Sequence, residues 1–265
     1  MASHTRPICR TCGTQYAAPR PDCPICTDER QYVPAAGQQW TDFDELRADP
    51  DLSARIEPEG PGLTGIGTNP RFAIGQRALL VNTPNGNILW DCTAYLTEDI
   101  ITEVNNQGGL HAIAISHPHY YTTMVEWSHT FNAPIHLHEN DAQWIGRPDP
   151  NIHLWSGTHT TLLDEVTLIN LGVHFAGGTV LHWRHTLLTG DIVQVIPDRS
   201  HVAFMYSYPN LIPERPAVVR RAAELLKPLD FSTIYGAWWD SKIETNAHEI
   251  VQRSAERYLA YTREN

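Results

Sequence analysis

From Phe72 onward the chain runs through short apolar stretches separated by polar, glycine or proline punctuation. Phe72–Val81 and Asn87–Asp91 flank Thr83-Pro-Asn-Gly86, a pattern that predicts a β-hairpin with Asn-Gly at its tip. Leu96, Ile100, Ile101 and Val104 recur at helical spacing and Gly108-Gly109 stops them, so Leu96–Asn106 predicts a helix. Next, Leu110–Ile115 reads as a strand, Val125–Phe131 as a helix, Ala133–Leu137 as a strand and Asp141–Ile145 as a short helix. Further strands are predicted at Thr161–Leu171, Val180–Trp183, Thr186–Thr189 and Phe231–Tyr235, with helices over Pro216–Leu226 and from about Asn246 to Tyr261. Strands followed by mixed strand and helix units predict a layered α/β protein in which helices cover sheets.

The first 36 residues follow another rule. Their apolar content is too small for a core, but four of the five cysteines lie there as two C-x-x-C pairs, Cys9/Cys12 and Cys23/Cys26, ten residues apart. Two such pairs supply four thiolates for one tetrahedral ion, whose binding would provide the folding free energy. The pattern is similar to a zinc ribbon and to rubredoxin-like modules, so zinc is expected there, with iron as the alternative. No glycine follows the last cysteine, as it does in rubredoxins; Thr27 stands in its place. Two units are therefore expected: a four-cysteine metal-binding module over residues 1–36 and an α/β domain over 37–265, with Pro34-Ala-Ala-Gly37 as a short linker.

Charge narrows the partners. A formal net charge of −11, with 14 histidines counted neutral, argues against nucleic acid or an anionic membrane and leaves a small-molecule substrate. No apolar run reaches the roughly 18–20 residues that span a bilayer, and the start, MASHTRPICRTCG, lacks the apolar core of a signal peptide. With the clustered cysteines this predicts a cytoplasmic protein.

The chemistry concentrates at ISHPHYYTTM, Ile115–Met124, where His117 and His119 follow the end of a predicted strand and can reach one ion. His174 lies in a glycine-flanked turn, Leu171-Gly-Val-His-Phe-Ala-Gly-Gly178, and Asp191 ends Leu187-Leu-Thr-Gly-Asp191. In this order and context the chain resembles the metallo-β-lactamase fold superfamily, αββα metallohydrolases, from about Arg71 to Tyr261. His117 and His119 match the first two histidines of the family's H-x-H-x-D-H motif. Val173-His-Phe-Ala-Gly177 matches its G-H-T-P-G element and Gly190-Asp191 its Gly-Asp.

Two departures are specific. Tyr121 and Thr122 stand where the family has the Asp and His of a second metal site, and Ile234-Tyr-Gly-Ala-Trp-Trp-Asp240 lacks the late His. The resemblance thus implies a mononuclear centre at His117, His119, His174 and Asp191, holding zinc or, alternatively, iron. It implies a hydrolase of an ester, thioester or lactone, with Asp191 acting on a metal-activated water and Tyr121 a candidate donor to an oxyanion. Trp238 and Trp239 are expected to wall the pocket. A mononuclear iron oxygenase or redox enzyme and a non-catalytic metal-binding protein are the competing readings.

Overall fold

The computed structural model describes residues 6–262. Expectations that rest on the first five residues or on residues 263–265 lie outside that span. Two sheets stack face to face. The first has seven strands side by side in chain order: Ser53–Gly60, Leu63–Asn69, Ala78–Thr83, Gly86–Trp90, Ala112–Ala114, Ile135–His138 and Ile152–Trp155. Its first four are antiparallel and its last three run parallel. The second sheet has six: His159–Leu163, Val166–Asn170, Thr179–Trp183, Thr186–Gly190, Thr233–Gly236 and Lys242–Ile243, with Thr233–Gly236 parallel to Thr186–Gly190.

Alternation along the strands sorts the core into layers, because successive side chains leave a sheet on opposite faces. Leu79, Val81, Ile88 and Trp90 meet Val166, Leu168, Leu181 and Leu188 between the sheets. Ala78, Leu80 and Leu89 face the other way, onto helices Glu98–Asn106 and Met124–Phe131. On the far side, Ile169, Val180 and Leu187 pack against helices Pro216–Leu226 and Ala247–Tyr261. The order is helix, sheet, sheet, helix. Strands buried on both faces read as unbroken apolar runs, and Ala78-Leu-Leu-Val81 is one.

Local differences from expectation have physical reasons. The expected strand Thr161–Leu171 is two antiparallel strands, because the chain turns at Asp164-Glu165. Phe72–Arg77 is not part of a strand; the hairpin begins at Ala78, and its tip residues are Pro84 and Asn85, since Thr83 pairs with Gly86. Ser53–Gly60 and Leu63–Asn69 were not expected at all. The first is a largely exposed edge strand carrying Pro58, so it has little apolar signal. Pro34–Gly37 is a hydrogen-bonded turn, after which Trp40–Thr41 returns to pair with Ile8–Cys9. Among the described residues no helix is long and apolar enough to cross a membrane.

Candidate metal centre and the cleft beside it

The strands deliver the four donors to one end of the sandwich. His117 continues the extended backbone after Ala112–Ala114, and Pro118 opens a single tight helical turn, Pro118–Tyr120, that brings His119 round beside it. Asp191 follows the C-terminal end of Thr186–Gly190, the end at which parallel strands expose their sites. Gly190 is needed there: its φ is +54°, and a Cβ would meet Ser116 Oγ at 2.8 Å. His174 also takes a left-handed conformation, φ +67°, held by its own N–H donating to the buried Glu214 carboxylate at 2.8 Å.

Buried side by side, the three imidazoles form a near-equilateral triangle with ring centroids 4.9–5.0 Å apart. His117 Nε2 lies 3.2 Å from Asp191 Oδ1, and His174 Nε2 lies 3.2 Å from His119 Nδ1. Donors about 2.0–2.1 Å from a tetrahedral ion stand about 3.3 Å apart, so these spacings are the edges of a zinc-sized polyhedron. His117 Nε2 and Asp191 Oδ1 have no hydrogen-bond partner although both are buried. Buried polar atoms without partners are costly, and a cation at the centre of the four donors would satisfy them. The residues therefore fit one divalent ion.

Behind the donors, other groups set the ring orientations. Tyr206's carbonyl accepts from His174 Nδ1 at 2.8 Å, leaving Nε2 bare for a metal, and Ser116 Oγ lies 2.9 Å from His117 Nδ1. Burial pulls His117 and His119 well below the usual imidazole range, reinforced by the Arg30 guanidinium and by the repulsion that a protonated His174 would add. Burial likewise brings His174 down to about 4. All three are neutral ligands at neutral pH. Burial pushes the Asp191 carboxyl up to about 7, which an adjacent cation would reverse.

The second-site positions are otherwise occupied. Tyr121 is packed in the core and its hydroxyl donates to the Asp141 carbonyl at 3.4 Å, so it does not line the cleft. The backbone carbonyl of Thr122 accepts from Gln15 N–H at 3.0 Å, docking the N-terminal segment on this corner. Trp238 does wall the cleft, with its indole N–H on the Ile74 carbonyl at 3.3 Å. Trp239 instead packs over Gly65 and Gly67, with the Arg55 guanidinium 4.0 Å from its ring centroid. Among the described residues only two clusters can hold a metal, this one and the cysteines.

At the second cluster Cys9 Sγ stands 3.6 Å from Cys26 Sγ, and Cys12 Sγ 3.6 Å from Cys23 Sγ. Tetrahedral thiolates about 2.3 Å from an ion lie about 3.8 Å apart, so this set also fits. Gln38 Nε2 donates to Cys9 Sγ at 3.2 Å, and the Tyr16 hydroxyl lies 3.1 Å from Cys23 Sγ. This segment is also a wall of the cleft: Arg30 and Tyr32 line it together with His119 and Asp191. Sequence patterns missed Arg30 and also Tyr208, whose hydroxyl donates to the Asp191 carbonyl at 2.6 Å. Neither lies in a motif, although Arg30's position four residues past Cys26 was a usable hint.

Solved structures share this architecture. VMB-1 superposes with a TM-score of 0.60 at 8% identity, covering 80% of this chain and 99% of its own. DIM-1 gives 0.58 at 12% identity, covering 78% and 98%. The mono-zinc form of FIM-1 from Pseudomonas aeruginosa gives 0.58 at 11% identity, covering 79% and 97%. No protein-family model matches the chain. Fold and site together define a metallo-β-lactamase-fold protein with one cluster of three histidines and an aspartate and, near the N-terminus, one cluster of four cysteines. Within that class the chain belongs to the family of the "Uncharacterized protein YmaE" of Bacillus subtilis (strain 168), with which it is 47% identical over 261 residues, 95% of each chain.

Proposed function

We propose that the protein is a mononuclear metal-dependent hydrolase of a small ester, thioester or lactone, with zinc at both clusters. The observation that carries this reading is the convergence of four buried donors, two lacking any internal partner, at the floor of a cleft that reaches His119 and Asp191. Bound at His117, His119, His174 and Asp191, a divalent ion would supply Lewis acidity and bring a water pKa towards about 7. The Asp191 carboxylate oxygen not turned to His117 would orient that water and accept its proton. Tyr208 is a positioning residue, because its hydroxyl fixes the Asp191 backbone while its ring lies 5.5 Å from that of His174. A cleft of about 220 Å³, below the roughly 300–1,000 Å³ of drug-sized sites, supports a small substrate. Four unbridged cysteines in ligand geometry support a reducing compartment, the cytoplasm.

Metal analysis combined with His117→Ala tests the reading. The expected result is one zinc per cluster in the wild type, loss of the zinc at the histidine cluster in the variant, and turnover of an ester, thioester and lactone panel that the variant lacks. Iron with visible absorbance, or turnover that survives His117→Ala with the fold intact, would overturn it.

A further inference from the structure

Resting on the hydrolase reading above, we propose that the cleft selects substrates that carry a carboxylate, held by Arg71 and Arg30. The chain as a whole is acidic, at −11, yet the only charged side chains lining this cleft among the described residues are Arg30, Arg71 and Asp191. Asp191 is turned to the imidazoles as the fourth metal donor, so the remaining local charge is positive.

The two arginines differ in their commitments. Arg30 is fixed in place: Asp28 takes Nε at 2.6 Å and Nη2 at 2.9 Å, and the guanidinium lies over Phe175. Its remaining nitrogen, Nη1, has only a long contact of 3.4 Å with the His174 carbonyl, so one donor stays available next to the metal ligands. Arg71 has no ion-pair or side-chain hydrogen-bond partner among the described residues. Its side chain is folded over Gly75, where a Cβ would meet its Nε at 3.0 Å and its Cδ at 3.1 Å. Arg71 is exposed, so its uncommitted guanidinium stands free at the rim. A planar guanidinium matches a carboxylate in a bidentate pair, which makes a carboxylate the complementary group. Trp238 and Ile74 give the same cleft apolar walls, so the body of the substrate is short and apolar.

Mono-(4-nitrophenyl) succinate and 4-nitrophenyl butyrate carry the same scissile bond and differ in the terminal charge. After subtraction of spontaneous hydrolysis, the wild-type holoenzyme is expected to favour the succinate in kcat/KM by about tenfold. In Arg71→Met that ratio is expected to fall towards one, and Arg30→Gln provides the second reading. A ratio near one in the wild type, or one unchanged in both variants, would overturn the proposal. Should neither ester turn over, calorimetry with glutarate against the neutral glutaramide decides the anion site independently of the hydrolase reading, which stands or falls on the full ester, thioester and lactone panel. Preference for glutarate that drops in Arg71→Met supports it; equal binding sinks it.

Discussion

The guanidinium carbon of Arg30 stands 3.9 Å above the ring centroid of Phe175, the chain neighbour of His174 in the histidine cluster. Arg30 follows Cys26, the last cysteine of the N-terminal cluster, by four residues, so the two metal clusters share a wall. Replacing one thiolate, as in Cys12→Ser, removes a ligand from a site whose ion supplies local folding free energy. The segment then loosens and Arg30 leaves Phe175. Because small misplacements near a reacting centre cost rate, kcat/KM should fall about tenfold or more although residue 12 is not a ligand of the histidine cluster. Metal content per chain and kinetics on one sample check this; full turnover after loss of the cysteine-bound ion would break the coupling.

Ser116 sets the His117 ring through a 2.9 Å contact with Nδ1. Its backbone N–H is in turn held by Asp91 Oδ1 at 2.8 Å, so the whole strand end is braced. Ser116→Ala should leave the fold unchanged and weaken metal binding at the histidine cluster by about 10–100-fold, the usual effect of losing such a partner. Competition with a chelator of known affinity measures it, with circular dichroism as the fold control.

The four side chains that cluster were legible in the sequence because each lies at a strand end or glycine turn whose pattern is local: His117 after an apolar run, Asp191 after Leu187-Leu-Thr-Gly. Helix Pro216–Leu226 was legible residue for residue, since its proline start and apolar periodicity agree. What escaped was long-range. Arg30 and Tyr208 reach the site from segments 144 and 17 residues away from their partners His174 and Asp191. Nothing local marks them. The edge strand Ser53–Gly60 escaped for the opposite reason, because none of its residues is buried and it carries no apolar alternation to read. Tyr121 looked like a site residue from its motif position, yet its backbone aims the hydroxyl at Asp141.

His136 gives a pH dependence remote from the metal clusters. Burial, then the neighbouring positive charge of His153, brings its pKa down to about 4, and its ring stacks on His153 with centroids 5.8 Å apart. An unfolded histidine titrates near about 6.5, so between that value and 4 the unfolded chain binds a proton the folded chain refuses. Stability from this residue is thus complete above about 6.5 and is lost as the pH falls towards 4. His136→Phe should flatten the change in urea midpoint between pH 7 and pH 5. An equally steep change in the variant would assign the acid sensitivity elsewhere.

Gly146 is where the cysteine-bearing N-terminal segment seats on the body. A Cβ there would meet Tyr16 Cδ1 at 2.5 Å and Cε1 at 2.6 Å, while Ala17 N–H donates to the Gly146 carbonyl at 3.1 Å. The Tyr16 ring cannot retreat freely, because its hydroxyl is 3.1 Å from Cys23 Sγ and its edge meets Trp40 at a centroid distance of 5.7 Å. Arg147, next in the chain, bridges Gln15 and Glu126 and so depends on the same seating. Gly146→Ala should therefore destabilise by about 1–3 kcal/mol, the usual cost of overpacking, and lower kcat/KM because Arg30 and Tyr32 move with the segment. Cysteine-bound metal should remain, since no thiolate is touched. The clash is specific to one ring, so in a Tyr16→Leu background the same substitution should cost much less. Chemical denaturation of the four members of that cycle measures the coupling; an equal cost in both backgrounds would show that Gly146 does not act through Tyr16.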